Sequence, residues 1–171
     1  MMDRLAFSPR WVSWPTPVAV ADLFKTAPLG LGIFVAMDAV TLESRHLSAH
    51  IDRSAQDVYD YAWDPSHLPE WAPGLGNSIE LIDGRWIMES PMGRIVVTFA
   101  PRNEFGVLDH HVTLASGEIF YNPMRVTTDG AGCEIVFSLR RQAAMSDEDF
   151  ERDANAVLSD LVRLKRKMER P

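Results

Sequence analysis

Two polar residues that could perform acid–base chemistry, His110 and Asn122, fall on predicted strands whose alternate positions are otherwise apolar. A histidine can act as a general acid or base near neutral pH, and a side-chain amide can polarise a carbonyl oxygen. His110 and Asn122 are therefore the candidate catalytic pair. Two alternatives remain open: His110 is structural and hydrogen-bonds to Asn122 or a backbone carbonyl, or it contacts a ligand without catalysis.

The other histidines fit this chemistry less well. Asp109 and His111 flank His110, but adjacent strand residues face opposite ways, so the three do not form a dyad or a ligand pair. His46 and His50 share one strand face but lie about 13 Å apart, which is too far for common metal ligation. We therefore predict no metal site and no cofactor.

The composition narrows the class of partner. The chain has 171 residues and a formal net charge of −7, so nucleic acid would be repelled. The basic run at 163–170 is interpreted as cations that oppose the dipole at a helix C-terminus. Cys133 is the only cysteine, so an intramolecular disulfide is excluded. We predict that Cys133 is a buried, inert thiol and that the protein works in a reducing cytoplasm.

The first forty residues differ from the rest of the chain. Prolines and tryptophans cluster there, and the apolar run at 28–36 is interrupted by Gly30 and Gly32. That run is shorter than the roughly 20 residues a membrane helix needs, so no membrane insertion is predicted. We expect 1–40 to be a poorly structured arm, with Met37 as an alternative start, and 41–171 to form the folded domain.

The folded part is predicted to consist of strands between helices. Period-two alternation indicates a strand at 41–52, and Ser54 then caps a short helix that ends near Asp64. A second short helix or turn follows at 66–71. Six strands come next, with the strongest hairpin signal at Asp83-Gly84; their predicted ranges are 78–82, 85–89, 93–100, 105–114, 118–128 and 133–141.

The last element has the clearest pattern. Ser146 is a predicted N-cap, three acidic residues follow it, and apolar residues then recur every three or four positions to Met168. Such a sequence is typical of a long amphipathic helix. Strands joined by tight turns form an antiparallel sheet with the helices on one face, which predicts an α+β fold.

The element order, the segment Ser-Ala-Gln-Asp-Val-Tyr-Asp-Tyr-Ala-Trp-Asp-Pro at 54–65 and Leu-Pro-Glu-Trp at 68–71 resemble the START-like (SRPBCC) superfamily. That superfamily includes polyketide cyclase/dehydrase-like proteins and birch-allergen-type lipid binders, and 103–112 and 122–126 are similar to an uncharacterised bacterial branch. The resemblance implies a helix-grip fold: a curved antiparallel sheet of about seven strands around the C-terminal helix, with two short helices after the first strand. No motif matches a characterised cyclase position by position.

A helix lying across the concave face of such a sheet would leave an apolar cavity with few polar groups, which is the usual composition of a small-molecule site. The alternative is a solid core. The predicted ligand-binding residues are Trp71, Trp86, Met88, Val97, Phe99, Leu108, His110, Val112, Phe120, Asn122, Met124, Phe137, Val157 and Leu161.

Three functions follow from this pattern. The favoured one is non-catalytic binding of a small apolar or aromatic molecule in an internal cavity. The second is a polyketide cyclase- or dehydratase-like enzyme that uses His110 and Asn122. The third is a regulatory interaction module, for which the sequence names no protein partner.

Overall fold

The computed structural model describes residues 43–142 and 145–170, so the predicted arm at 1–40 lies outside the described residues and its boundary stays a prediction. The predicted α+β fold, with short helices after the first strand and a long C-terminal helix, is confirmed. In chain order the elements are β1 (Ser44–Ile51), α1 (Ala55–Trp63), a 3-10 turn (Pro65–His67), α2 (Leu68–Trp71), β2 (Ser78–Ile82), β3 (Arg85–Ser90), β4 (Gly93–Phe99), β5 (His110–Thr113), β6 (Ile119–Asn122), β7 (Met124–Asp129), β8 (Gly132–Arg140) and α3 (Asp147–Glu169).

The strands form two antiparallel sheets, ordered β1-β8-β7 and β2-β3-β4-β5-β6. The predicted strand at 118–128 is divided at Pro123, which has no N–H to give to a strand ladder. Its first half, β6, pairs with β5, and its second half, β7, pairs with β8. A bridge between Val107 and Arg125 links β7 to the chain before β5.

β5 is shorter than the predicted strand at 105–114. The preceding segment is a loop because the Asn103 side chain replaces strand pairing there: its Oδ1 accepts from the N–H groups of Phe105 and Val107. Its Nδ2 donates to the Pro101 and Val107 carbonyls. An amide that satisfies its own loop in this way competes with a strand ladder.

The predicted hairpin turn at Asp83-Gly84 joins β2 to β3. Asp83 has φ 50° and Gly84 has φ 75°, the left-handed conformation that two-residue hairpin loops require and that Asp-Gly adopts readily. The turn aligns Leu81 with Trp86 and Ile79 with Met88.

α3 begins where predicted, since Ser146 Oγ accepts a hydrogen bond from the Asp149 N–H at 3.1 Å. One flank of α3 contacts β1: Arg45 donates to Glu151 at 2.8 Å, and Lys165 Nζ donates to the His50 carbonyl at 2.8 Å. α2 packs against both α3 and β2. None of the described helices is long and apolar enough to cross a membrane.

Candidate functional site

The inward-facing side chains of the larger sheet stand in rows across the strands. Trp86 lies opposite Val97, Val97 opposite Val112, and Val112 opposite Phe120. Directly paired residues on one face are about 5 Å apart, so these four form a continuous surface. We name this row the aromatic ladder, because Trp86 and Phe120 end it.

The next row carries the polar residues. Phe99 lies opposite His110, and His110 lies opposite Asn122. The structure therefore brings the two predicted polar residues together as direct cross-strand neighbours beside the aromatic ladder.

Burial divides the predicted ligand-binding residues into two groups. The first group is buried and packs the core: Trp71, Met88, Val97, Leu108, His110, Val112, Met124 and Leu161. The second group keeps part of its side-chain surface accessible: Trp86, Phe99, Phe120, Asn122, Phe137 and Val157. Only the second group has apolar surface left to contact a ligand. Leu81, opposite Trp86, is 59% exposed, so the Trp86 end of the ladder is open to solvent.

His110 is held by its backbone and by aromatic rings. Its Nδ1 donates to the Leu108 carbonyl at 3.1 Å, so Nε2 is the acceptor nitrogen of the neutral ring. The Phe99 ring stacks on the imidazole with centroids 4.9 Å apart, and Phe137 lies at 6.1 Å. Burial lowers the pKa of His110 from 6.5 to about 4, against a smaller opposing effect of the Leu108 hydrogen bond.

Asn122 is positioned from the other face of the sheet. Asp109 points away from His110, as predicted, and accepts from the Met124 N–H at 2.9 Å. The Tyr121 hydroxyl and the Arg125 guanidinium also donate to Asp109. These bonds hold the chain on both sides of Pro123, and we name the four residues Asp109, Tyr121, Met124 and Arg125 the Asp109 clamp.

Trp71 supplies a buried donor. It is 4% exposed, and its indole N–H finds no hydrogen-bond acceptor among the described residues. A buried donor left unpaired costs about 1–3 kcal/mol. The Trp71 N–H is therefore an unpaired donor within the described residues.

Asp160 on α3 was missed by the sequence analysis. Its side chain is 19% exposed, and its Oδ1 lies 3.7 Å from Arg163 Nη1, which is beyond hydrogen-bond length. Burial raises the pKa of Asp160 from 3.8 to about 6, against a smaller opposing effect of Arg163. The available signal was its spacing, three residues after Val157 and four before Leu164 on the apolar stripe.

The remaining candidates lie apart from the site. His46 Nδ1 is 2.9 Å from Ser138 Oγ, whereas His50 lies between Asp52 and Asp129, each 3.1 Å away. The two histidines therefore have separate partners. Cys133 is buried, and burial raises the pKa of its thiol, as expected for an inert residue.

A surface groove of about 570 Å³ lies elsewhere on the molecule. It is bounded by the first turn of α1, the loop at 103–106 and the hairpin at 126–132, and it contains none of the predicted ligand-binding residues. Phe105, in its wall, is 75% exposed. The sequence pattern did not predict this groove, because residues far apart in the chain form it.

Most of the chain matches one known protein family. The family model described as polyketide cyclase / dehydrase and lipid transport matches residues 44–169. The chain belongs to this family. No curated protein sequence matches the chain.

Solved structures share the fold at low sequence identity. An uncharacterized protein from Bacillus thuringiensis is 19% identical with a TM-score of 0.59, covering 74% of this chain and 98% of its own. A START superfamily protein from Mycobacterium smegmatis is 10% identical with a TM-score of 0.57, covering 74% and 97%. Ara h 8.0201 is 11% identical with a TM-score of 0.57, covering 74% and 97%. These likenesses establish the START-like fold of this family member and leave its ligand open.

Proposed function

We propose that this protein binds a small apolar or aromatic molecule between α3 and the concave face of the larger sheet, without transforming it. The observation that carries the proposal is the aromatic ladder. Trp86 and Phe120 keep accessible ring surface, whereas Val97 and Val112 between them are 1% and 4% exposed. Partly accessible rings over a closed apolar floor are suited to hold a flat apolar molecule.

The state of His110 supports binding rather than catalysis. A general base is most effective when its pKa lies near the operating pH. The pKa of His110 is lowered to about 4, so its imidazole is neutral but a weak base at pH 7. Nε2 of His110 and the amide of Asn122 then serve as hydrogen-bond partners for a polar group on the ligand.

The test measures binding of methylnaphthalene to the full chain by isothermal titration calorimetry, with native mass spectrometry of the purified protein to detect a co-purifying molecule. We expect Trp86→Ala and Phe120→Ala each to weaken binding by about tenfold or more, because each removes an aromatic contact surface. Ile119→Ala is the matched control, since Ile119 precedes Phe120 but faces the opposite side of β6 and is 61% exposed.

Two results would contradict the proposal. One is the absence of any bound molecule in native spectra together with no measurable binding of methylnaphthalene. The other is an equal loss of affinity in the Ile119→Ala control, which would place binding away from the aromatic ladder.

A polyketide cyclase- or dehydratase-like activity is the second candidate, supported by the direct pairing of His110 with Asn122. Such an enzyme would release one water from a linear polyketone thioester, a mass change that mass spectrometry detects. His110→Asn and Asn122→Ala should then abolish turnover while leaving methylnaphthalene binding intact. Full turnover in both variants would exclude this pair as the catalytic one.

A further inference from the structure

The two flanks of α3 have different neighbours. One flank contacts β1 through Glu151 and Lys165. The other contacts α2, where Lys167 forms an ion pair with Glu70. Asp160 precedes Lys167 by seven residues, close to two full helical turns, and therefore lies on the α2 flank.

That flank borders the concave face of the larger sheet. α2 packs against both α3 and β2, so it connects this flank of the helix to the first strand of the larger sheet. Val157 and Leu164, the stripe neighbours of Asp160, are packed in or against the hydrophobic core. Asp160 thus lies on the helix side of the proposed ligand site. It is about two turns of α3 before Lys167, the residue that contacts α2.

In the part of the chain that the structure describes, Asp160 lacks the hydrogen-bond donors that Asp149 and Glu169 have on the same helix. The Asp149 carboxylate accepts from the Ser146 hydroxyl and from Arg152, and Glu169 accepts from the Asp52 N–H and from Lys165. Asp160 is mostly buried, and its nearest cation is the half-exposed Arg163 at 3.7 Å. Its carboxylate accepts no hydrogen bond from any of the described residues.

The sheet side of the site lacks positive charge. The inward positions of β2–β6 carry no lysine or arginine in the described chain; they are Ile79, Leu81, Trp86, Met88, Ser90, Ile95, Val97, Phe99, His110, Val112, Phe120 and Asn122. Arg45 and Arg141, at the α3 N-terminus, are paired with carboxylates. A ligand carboxylate or phosphate would meet Asp160 with the half-exposed Arg163 as the nearest described cation.

We propose that Asp160 accepts a hydrogen bond from a hydroxyl or amine of the ligand, so that the site selects neutral or cationic aromatic molecules and rejects carboxylates. The proposal rests on the proposed binding function and names its ligand class. The raised pKa of Asp160 agrees with a carboxylate that has little contact with solvent and no hydrogen-bond donor in the described part of the chain.

The experiment uses four probes that share one ring system: methylnaphthalene, naphthalenemethanol, naphthylmethylamine and naphthoate. Each is titrated calorimetrically into the full chain at pH 7.5. We expect the amine and the alcohol to bind more tightly than methylnaphthalene, and naphthoate to bind most weakly. In Asp160→Asn the amine should lose about tenfold or more in affinity and naphthoate should gain a similar factor, because a charge-assisted contact and a repulsion are both removed.

Two controls keep the result specific. Methylnaphthalene should bind Asp160→Asn and the wild type equally, which also shows that the variant is folded; Asp160→Ser serves if Asp160→Asn does not fold. Glu148→Gln removes one exposed negative charge from the same helix and should leave all four affinities unchanged.

The outcomes separate this inference from the proposed function. If methylnaphthalene binds, and the four probes rank in the same order of affinity in wild type and Asp160→Asn, the role of Asp160 is overturned and the binding function stands. Failure of all four probes to bind the wild type would overturn the binding function itself. If Glu148→Gln changes the ranking of the probes in the same way as Asp160→Asn, the effect is due to net charge, and the role of Asp160 is also overturned.

Discussion

At the scale of single residues, the two titratable groups of the site are shifted in opposite directions by the same cause. Burial favours the neutral form of each, which lowers the pKa of His110 to about 4 and raises that of Asp160 to about 6. An imidazole loses charge on deprotonation and a carboxyl loses it on protonation, so the directions differ. At neutral pH the site therefore holds an uncharged histidine and a poorly solvated carboxylate.

His110 should make the fold sensitive to mild acid. Its folded pKa lies below its usual 6.5, so its contribution to stability is present above pH 6.5 and is lost as the pH falls toward 4. The lost contribution is about 3 kcal/mol. Urea unfolding at a series of pH values should show this loss in wild type and not in His110→Asn, whose amide can still donate to Leu108. An identical acid loss in both proteins would contradict the assignment.

Asp160 should act in the opposite sense. Its folded pKa is raised, so its contribution to stability is present below pH 3.8 and is lost as the pH rises through about 6. Asp160→Asn should therefore raise the free energy of unfolding at pH 7 by about 1–2 kcal/mol, with residual solvent contact limiting the gain. Glu148→Gln is the control, and a destabilised Asp160→Asn would show that the carboxylate has a partner in the folded protein.

At the scale of elements, the break between β6 and β7 decides where the polar pair lies. Pro123 interrupts the strand, and without another constraint Asn122 could shift relative to β5. The Asp109 clamp supplies that constraint from the opposite face, since its carboxylate binds groups on both sides of Pro123. Asp109, which faces outward next to His110, thus fixes Asn122 as the cross-strand neighbour of His110.

Removing the clamp should cost stability and disorder the pair. Asp109→Ala leaves the Met124 N–H and the Arg125 guanidinium without their acceptor, and Asp109 is only 13% exposed, so we expect a loss of about 2–3 kcal/mol. Chemical denaturation measures the loss, and amide NMR shifts of Asn122 report its displacement. Glu118→Gln, an exposed change at the start of the same hairpin arm, should alter neither; an unmoved Asn122 in Asp109→Ala would contradict the positioning role.

At the scale of the whole molecule, α3 packs mainly against β1 and leaves part of the larger sheet uncovered by the helix. Its described ion pairs with other elements and its lysine–carbonyl bond involve β1, α2 and Arg141 after β8 rather than β3–β5. The half-buried rings of the aromatic ladder lie on the side that α3 does not cover closely. A ligand there would complete the packing between the helix and the sheet.

A bound ligand should therefore stabilise the fold as a whole. Methylnaphthalene at one hundred times its dissociation constant should raise the free energy of unfolding by about 2.7 kcal/mol, and thermal unfolding should shift upward by several degrees. With tenfold weaker binding, Trp86→Ala should reduce the gain to about 1.4 kcal/mol at the same probe concentration. A shift of equal size in Trp86→Ala would place the stabilising contact elsewhere, for example in the groove beside Phe105.

The amino-acid sequence determined the features that depend on neighbours in the chain. Ser146 with its acidic turn predicted the start of α3, Asp83-Gly84 predicted the hairpin, and strand alternation predicted that His110 faces inward while Asp109 faces outward. Each follows from local backbone geometry and side-chain hydrogen bonding. The curvature of the sheet came from the family resemblance rather than from the pattern.

Tertiary structure decided what depends on residues far apart. The accessible surface of Trp86 and Phe120, the burial of Asp160 and the clamp from Asp109 to Arg125 all follow from which element covers which. Burial sets desolvation, and desolvation sets the pKa values of His110 and Asp160. The same residue types on an open strand or an exposed helix would have ordinary pKa values.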